Sequence, residues 1–222
     1  MLRAMTTPAD DTHPAALGLS AARPSDYFLD TFVAPGMSGL QFRALPPIEP
    51  PTEGKWLATF ILNNALRTRI LPPYRALLVN YLRRVEGAVA EYQAASGSLE
   101  ACAKASRTNV SGYFDALRHL EQCVGQADEA LALVAKVFGD KQAFTPGEQS
   151  LERRLRWVHN DVKHIDEHIV KGKVPAPAGI DVHLTSTSIR SEKSEVTFLE
   201  LAAVLGQLSE LAGQAALIHA SG

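Results

Sequence analysis

The chain has 222 residues, a formal net charge of −2 and 21% charged residues, which is enough length for a substantial hydrophobic core. The near-neutral charge disfavours a broad nucleic-acid-binding surface, because such a surface requires an excess of basic residues. No segment approaches the roughly 20 apolar residues needed to cross a bilayer, and residues 1–13 lack the apolar core of a signal peptide. We therefore expect a soluble, cytoplasmic protein that does not enter the membrane.

The first 51 residues are predicted to form an extended or partly disordered arm. Eight of the 13 prolines fall in this segment, and proline lacks an amide donor and disfavours a helical conformation of the residue before it. Residues 25–42 nevertheless carry enough aromatic and aliphatic side chains to pack against the rest of the protein or against a partner. We therefore divide the chain into a proline-rich arm over 1–51 and a helical domain over 52–222.

Two helices are predicted directly after the arm. Residues 52–71 are apolar enough for a buried helix, which Pro72 and Pro73 end. Apolar residues at helical spacing then predict a second helix up to about Ala95. The Ser-Gly-Ser sequence at 96–98 is expected to break or bend this helix.

The third predicted helix is strongly amphipathic and ends at Gly139. Its apolar residues recur every three or four positions and form one stripe that must be buried against other helices: Phe114, Leu117, Leu120, Val124, Ala127, Leu131, Val134 and Phe138. The two cysteines, Cys102 and Cys123, fall in predicted helices without a partner motif. We interpret them as small buried hydrophobic residues of a reduced protein.

A fourth helix is predicted to begin near Pro146. Thr145 is the expected N-cap, Pro146 takes the first helical position, and Glu148 completes a capping box three residues after the cap. On a helix with 3.6 residues per turn, its apolar residues form one core stripe: Leu151, Leu155, Val158, Val162, Ile165 and Ile169.

The end of the chain is predicted to contain a β-hairpin followed by a last helix. Residues 180–198 alternate polar and apolar side chains around the sequence at 191–194, a pattern typical of two strands. Thr197 and Glu200 form a capping box that opens the last helix. The sequence therefore predicts an all-α, up-and-down bundle of four to five helices, with a small β-hairpin insertion before the last helix and a proline-rich N-terminal arm.

Polar residues of the fourth helix form a second stripe away from its core face. Trp157, Asp161, His164 and His168 recur at intervals of four, three and four residues, so one side carries an indole, a carboxylate and two imidazoles. The simplest interpretation is a solvated or partly packed face. The second interpretation is a metal site. His164 and His168 are spaced so that both can reach one ion, and Asp161 and His164 have the spacing that helical metal sites use.

The metal hypothesis lacks ligands from a second helix. The best candidates are His119 and Glu121, which lie on either side of a core leucine, and the predicted helices contain no second acid-x-x-His pair. A metal site within a bundle requires inward-pointing ligands from several helices. We therefore expect no metal and no other cofactor.

A third interpretation is acid/base chemistry on a phosphodiester. Metal-free RNA cleavage needs a group that moves the proton of the 2′-hydroxyl, a cation that stabilises the charged transition state and a donor that positions the phosphate. Histidine, arginine or lysine, and asparagine supply these functions, and all occur within residues 153–164. Histidine suits the proton transfer because its ordinary pKa lies near neutrality.

The sequence VHNDVKHIDEHI at 158–169 resembles the final-helix signature of HEPN-type domains. In that signature an arginine is followed by a polar residue, commonly asparagine, and then by a histidine a few positions later. Residues 114–133 look like the amphipathic helix of the family, and residues 196–218 are similar to C-terminal helices of its relatives. The resemblance covers roughly residues 73–219 and is diffuse outside the motif.

The sequence can be aligned with this motif in two ways. Asn160 and His164 fit the polar and histidine positions, with His159 in place of the arginine. Alternatively, Arg154 and His159 have the spacing of the arginine and the histidine, and Leu155 then occupies the polar position.

The resemblance implies a function in RNA chemistry. HEPN domains form dimers that bring two motifs into one cleft, and the family includes metal-independent ribonucleases of toxin and defence systems as well as non-catalytic binding modules. By this resemblance the chain is a metal-independent ribonuclease or an RNA- or nucleotide-binding member of such a system. A non-catalytic helical interaction module, which binds a second copy or another protein, is the alternative.

These hypotheses assign specific roles. For the enzyme, His164 is the general acid/base, Asn160 positions the phosphate, and Arg154 or His159 stabilises the charge. The binding or interface residues are Trp157, Asp161, Lys163 and His168. We expect a homodimer whose interface includes the helix over 154–168, with RNA, a nucleotide or another protein as partner.

Overall fold

The structure is a computed structural model and describes residues 24–50, 52, 54–67, 70, 72–105, 109–139, 147, 149–172 and 180–217. The α-helices in these residues are α1 (Pro24–Phe32), α2 (Trp56–Arg67), α3 (Pro72–Lys104), α4 (Val110–Phe138), α5 (Leu151–Lys163), α6 (Ile165–Val170) and α7 (Phe198–Ala216). A 3-10 helix spans Met37–Gly39, and the strands are β1 (His183–Leu184), β2 (Ser188–Arg190) and β3 (Glu195–Thr197). The predicted helical fold with a small β insertion before the last helix is therefore confirmed.

Helices α3 and α4 form a long antiparallel pair. The hydroxyl of Tyr74, at the start of α3, donates to the carbonyl of Val137, at the end of α4, over 2.7 Å. At the opposite end the thiol of Cys102 lies 3.9 Å from the carbonyl of Asn109, whose side chain caps α4. The predicted stripe of α4 packs into the core, except that Phe114 is 39% exposed.

The predicted break at residues 96–98 is wrong. Helix α3 continues to Lys104, because Ala95, Leu99 and Cys102 remain buried on the face that meets α4. Burial of these side chains outweighs the roughly 1 kcal/mol that a glycine costs inside a helix.

Helix α7 packs against α3 and also contacts α2 and α4. The hydroxyl of Tyr81 donates to the carbonyl of Leu208 over 2.9 Å. The capping box of Thr197 and Glu200 is confirmed, with both reciprocal hydrogen bonds formed.

The helix predicted within residues 52–71 is present as α2, but the prediction that it is buried is wrong. Helix α2 lies on the outside of the bundle against α3 and α7, so only one of its faces is covered. Phe60 is buried, whereas Ile61 and Leu62 are 51% and 65% exposed. Helix α2 therefore lies on the surface, with apolar side chains exposed on its outer side.

The described part of the N-terminal arm packs onto the bundle. Its buried residues belong to the same core as the helices: Val33, Ala34, Met37, Leu45 and Ile48. The hydroxyl of Tyr92 on α3 donates to the carbonyl of Pro46 over 2.8 Å. Residues 1–23 of the predicted arm lie outside the described residues.

The predicted start of the fourth helix is wrong, since Gly147 and Gln149 are not helical. The observed helix, α5, begins at Leu151, and its cap is Ser150, whose hydroxyl accepts from the amide of Arg153 over 3.3 Å. Thr145, Pro146 and Glu148 of the predicted capping box lie outside the described residues.

Helix α5 ends one residue before His164, which has φ −112° and ψ 24°, and α6 begins one residue after it. The backbone hydrogen bonds continue across this interruption, because the amide of His168 donates to the carbonyl of His164 over 3.1 Å. The ideal-helix projection holds across this point for the face of His164 and His168, but it fails for the predicted core face. Ile169, which was predicted to be in the core stripe, is 58% exposed.

The β insertion is a three-stranded antiparallel sheet in the order β1-β2-β3, rather than the predicted two-stranded hairpin. Ile189 is paired with Leu184 on one side and with Val196 on the other, and all three side chains are buried. The amide of Leu184 donates to the hydroxyl of Tyr113 on α4 over 3.0 Å. This contact fixes β1 to the bundle and brings the turn between β2 and β3 close to α5.

Within the described part of the chain, none of the helices combines the length and apolar character needed to cross a membrane.

Candidate functional site

A cavity of about 360 Å³ lies where α5, α6 and the turn between β2 and β3 meet. Seven residues line it: Trp157, Asn160, Asp161, His164, Glu167, His168 and Lys193. Ligand-binding pockets in proteins begin at about 300 Å³, so this cavity is large enough for a small ligand.

The structure brings the predicted second stripe of the fourth helix to this cavity. Trp157, Asp161, His164 and His168 all line it, together with the predicted Asn160. They stay together across the interruption at His164 because the i to i+4 hydrogen bonds continue there. One wall of the cavity is thus the polar face of α5 and α6, which helical periodicity predicted to lie apart from the core face.

Lys193 also lines the cavity, and the sequence analysis did not find it. It lies in the turn between β2 and β3, and its ammonium group is 3.1 Å from Oδ1 of Asp161 on α5. These residues are separated by 32 positions in sequence, and only the docking of the sheet on α5 makes them neighbours. Nothing in the local sequence around Lys193 indicates this role.

Asp161 is a buried carboxylate with an unsatisfied oxygen. The residue is 3% exposed, and its Oδ1 is the atom that accepts from Lys193. Its Oδ2 is buried and has no hydrogen-bond partner among the described residues. A buried charged oxygen without a partner is costly, so this atom is suited to a cation or a donor that comes from outside the chain.

His168 connects the cavity to a second buried carboxylate. Its Nδ1 lies 2.7 Å from Oδ2 of Asp181, and the two side chains are 12% and 4% exposed. Asp181 precedes β1, so α6 and the sheet are joined at this point. One donor atom each from Asp161, His168 and Asp181 lies within 4.8 Å of the others, a grouping that could hold a metal ion.

His164 is the most accessible imidazole of the cavity. Its side chain is 47% exposed, and its Nδ1 lies 3.6 Å from Oε1 of Glu167. Glu167 forms a hydrogen bond of 2.7 Å with the ammonium group of Lys171. This hydrogen bond, together with the nearby positive charge of Lys171 and the charge of His164 when protonated, lowers the pKa of Glu167. Because about half of the His164 side chain is exposed, a ligand in the cavity can reach it from the solvent side.

Trp157 provides the aromatic wall of the cavity. The guanidinium carbon of Arg153, one turn earlier on α5, lies 5.2 Å from the centre of its ring. This is the geometry of a cation–π contact, which orients the indole and keeps a positive charge beside it.

Arg154 is not brought to the cavity. Its guanidinium group binds Glu200 on α7 and donates to the carbonyl of Glu195 on β3 over 2.8 Å. The hydrogen bond from Arg154 is the main reason why the pKa of Glu200 is lowered to about 2. The predicted catalytic arginine therefore joins α5 to the sheet and to α7.

His159 also points away from the cavity. Its Nδ1 lies 3.0 Å from Oδ2 of Asp128 on α4, and Nε of Arg156 lies 3.2 Å from Oδ1 of the same carboxylate. The imidazole packs over Gly125, since a Cβ atom on that glycine would lie 3.4 Å from the ring. The structure thus separates His159 and Arg154 from His164 and Asn160, and neither alignment of the HEPN motif places an arginine beside His164.

The other residues singled out from the sequence lie elsewhere. Lys163 is exposed and does not line the cavity. His119 pairs with Glu91 on α3 and lies 3.0 Å from a guanidinium nitrogen of Arg118. Glu121 is partly buried on α4, and burial raises its pKa to about 7.

No known protein family, curated protein or solved structure matches this chain. The functional interpretation therefore depends on the chemistry of the cavity. It combines an accessible imidazole, an amide, an ammonium group and an indole with one buried carboxylate, Asp161, and one exposed carboxylate, Glu167. Such a set can bind a phosphate, stack an aromatic ring and hold a cation.

Proposed function

We propose that the protein binds a nucleotide or the phosphodiester backbone of RNA in the cavity at Trp157. The observation that carries the proposal is that Trp157, Asn160 and His164 line one cavity together with the ammonium group of Lys193. An indole stacks on nucleobases of any sequence. Amide and ammonium groups are common donors to phosphate oxygens.

The charges at the rim support this ligand. Lys193 and Arg153 are both exposed. Lys193 lines the cavity together with Trp157, and Arg153 lies over the indole ring. The carboxylate of Asp161 is buried and pairs with Lys193. The exposed carboxylate of Glu167, which also lines the cavity, pairs with Lys171, so each acid at the cavity is accompanied by a cation. Local positive charge of this kind allows phosphate binding by a protein whose overall charge is −2.

RNA cleavage is the activity that this site would support. His164 would take the proton of the 2′-hydroxyl as the 2′-oxygen attacks phosphorus, and it would return that proton to the 5′-oxygen as the P–O5′ bond breaks. The products would be a 2′,3′-cyclic phosphate and a 5′-hydroxyl, and Asn160 would position the phosphate. Lys193 would stabilise the transition state in place of Arg154, which is engaged with Glu200. The resemblance to HEPN-type domains adds the expectation of a role in a toxin or defence system.

A titration of intrinsic fluorescence tests the binding. The chain has two tryptophans, so Trp56→Phe leaves Trp157 as the sole indole reporter. Adenosine monophosphate or a short single-stranded RNA, added in EDTA, should quench the fluorescence to saturation. His164→Ala and Asn160→Ala should each weaken binding by about tenfold, which corresponds to the loss of one hydrogen bond to a charged group.

Lys163→Ala is the matched control, because it removes a positive charge one residue from His164 but outside the cavity. It should leave the affinity unchanged. Absence of saturable quenching, or equal losses in Lys163→Ala and His164→Ala, would contradict the proposal. Incubation of the same samples with labelled RNA measures cleavage, which His164→Ala should abolish at an unchanged melting temperature.

A non-catalytic interaction module is the second candidate, and exposed apolar residues beside the cavity favour it. Ile169 and Val170 on α6 are 58% and 86% exposed. A second copy packed against α6 would cover them and bring two cavities together, as in the predicted homodimer. Sedimentation of the full chain should then report a dimer that Val170→Glu dissociates, whereas a wild-type monomer would rule out self-association through α6.

A further inference from the structure

We propose that Asp161, His168 and Asp181 form a binding site for one divalent transition-metal ion. The three residues come from α5, α6 and the segment before β1, and their donor atoms lie within 4.8 Å of one another. Ligands that bind one ion at about 2.0–2.2 Å lie at most about 4.4 Å apart, so small side-chain movements would complete the site.

The unsatisfied oxygen of Asp161 points independently to a cation. The side chain is 4% exposed, and its Oδ2 has no hydrogen-bond partner in the described part of the chain. Lys193 satisfies only Oδ1. A cation bound to Oδ2 would remove the cost of leaving a charged oxygen buried without a partner.

The local charge favours the same conclusion. Two buried carboxylates, Asp161 and Asp181, lie beside one ammonium group and one imidazole. Lys193 is 49% exposed at its side chain, so its ammonium group can move into solvent when an ion binds. A divalent ion then replaces its charge at the two carboxylates.

The donor set identifies the class of ion. Two carboxylate oxygens and one imidazole nitrogen suit Zn²⁺, Mn²⁺ or Co²⁺, whereas Mg²⁺ and Ca²⁺ prefer oxygen donors alone. Three protein ligands leave at least one coordination position open towards the cavity. Water or a phosphate oxygen would occupy this open position. Coordination by phosphate rests on the proposed nucleotide binding, whereas the metal site itself does not.

Direct measurement of metal binding tests the site. Tag-free, full-length protein treated with EDTA and dialysed should bind one Zn²⁺ or Mn²⁺ per chain in calorimetry and elemental analysis. Loss of a residue that only hydrogen-bonds to a metal ligand weakens metal binding by about 10- to 100-fold. Loss of a direct ligand should therefore weaken it by at least about 100-fold, and we expect this in Asp161→Asn, His168→Gln and Asp181→Asn. Asp166→Asn is the matched control, because this exposed carboxylate lies on α6 outside the group.

Further measurements separate this site from nucleotide binding and from misfolding. His164→Gln should lose nucleotide affinity but keep the metal, and Asp181→Asn should lose the metal but keep quenching by nucleotide in EDTA. Cobalt added to the wild-type chain should give visible absorption bands of a bound ion, so the test does not depend on a variant that folds. Absence of stoichiometric binding to wild type, or equal affinity in Asp161→Asn and Asp166→Asn, would overturn the proposal.

Discussion

The guanidinium group of Arg154 binds both carboxylate oxygens of Glu200, with Nη2 2.6 Å from Oε1 and Nη1 3.2 Å from Oε2. Glu200 also accepts hydrogen bonds from the amide and the hydroxyl of Thr197, at 3.0 and 2.8 Å. One carboxylate thus completes the cap of α7 and holds α5 against it. This pair explains why Arg154 is a structural residue in this chain.

Replacement of Arg154 with glutamine should destabilise the protein by about 1 to 2 kcal/mol at pH 7, the range expected for a partly exposed hydrogen bond between charged groups. The pKa of Glu200 is lowered from 4.5 to about 2, chiefly by Arg154. The ion pair therefore stabilises the fold fully above pH 4.5, and this stabilisation is lost as the pH falls towards 2. Urea unfolding of both proteins at pH 7 and pH 3 measures the difference, which should shrink at the lower pH. Arg75→Gln, at an exposed position of α3, is the control and should change stability by less than about 0.5 kcal/mol.

Glu121→Gln should stabilise the protein at alkaline pH. Burial raises the pKa of Glu121 from 4.5 to about 7, so the folded state disfavours the charged form, and wild-type stability falls as the pH rises from about 4.5 to 7. At pH 8 the variant should be more stable by about 1 to 3 kcal/mol, and the difference should disappear near pH 4. Asp115→Asn removes an exposed carboxylate of the same helix and should not reproduce the effect. A pH-independent difference in chemical unfolding would show that desolvation of the charge is not its cause.

Gly206→Ala should loosen the N-terminal arm. A Cβ atom at this position on α7 would overlap the backbone carbonyl oxygen of Glu49, and a backbone atom cannot move aside as a flexible side chain does. We expect a loss of about 1 to 3 kcal/mol, typical of overpacking, and faster proteolysis of the arm. Gly213→Ala on the same helix is the control, because its Cβ would make an ordinary contact at 3.8 Å with Nε1 of Trp56. Similar melting temperatures for the two variants would be inconsistent with the close approach of the arm.

Gly97→Ala should stabilise the protein by about 0.5 to 1 kcal/mol, the ordinary difference between the two residues inside a helix. Gly97 lies within α3, and a Cβ atom there would meet nothing within 4 Å. Gly112→Ala is the comparison, since its Cβ would overlap the thiol of Cys102 and the capping side chain of Asn109; it should destabilise. Thermal unfolding distinguishes these outcomes, and a loss of stability in Gly97→Ala would indicate that α3 is interrupted at residues 96–98.

The sequence alone predicted the elements whose pattern is local. Apolar residues at intervals of three and four predicted α4 and α7, and the Thr197–Glu200 box predicted the residue at which α7 begins. The same periodicity separated Trp157, Asp161, His164 and His168 from the core face, because one helix period places them on one side. These predictions succeeded because each depends on residues within a few turns of one another.

The tertiary structure decided which partners these residues have. Arg154 and His159, either of which was predicted to stabilise the charge, pair instead with Glu200 on α7 and Asp128 on α4. No pattern along α5 reveals those distant carboxylates. Lys193 and Asp181 reach the candidate site only because the three-stranded sheet docks on α5 and α6. Helical periodicity determines the direction of a side chain, whereas the charge that it meets there depends on how separate elements pack.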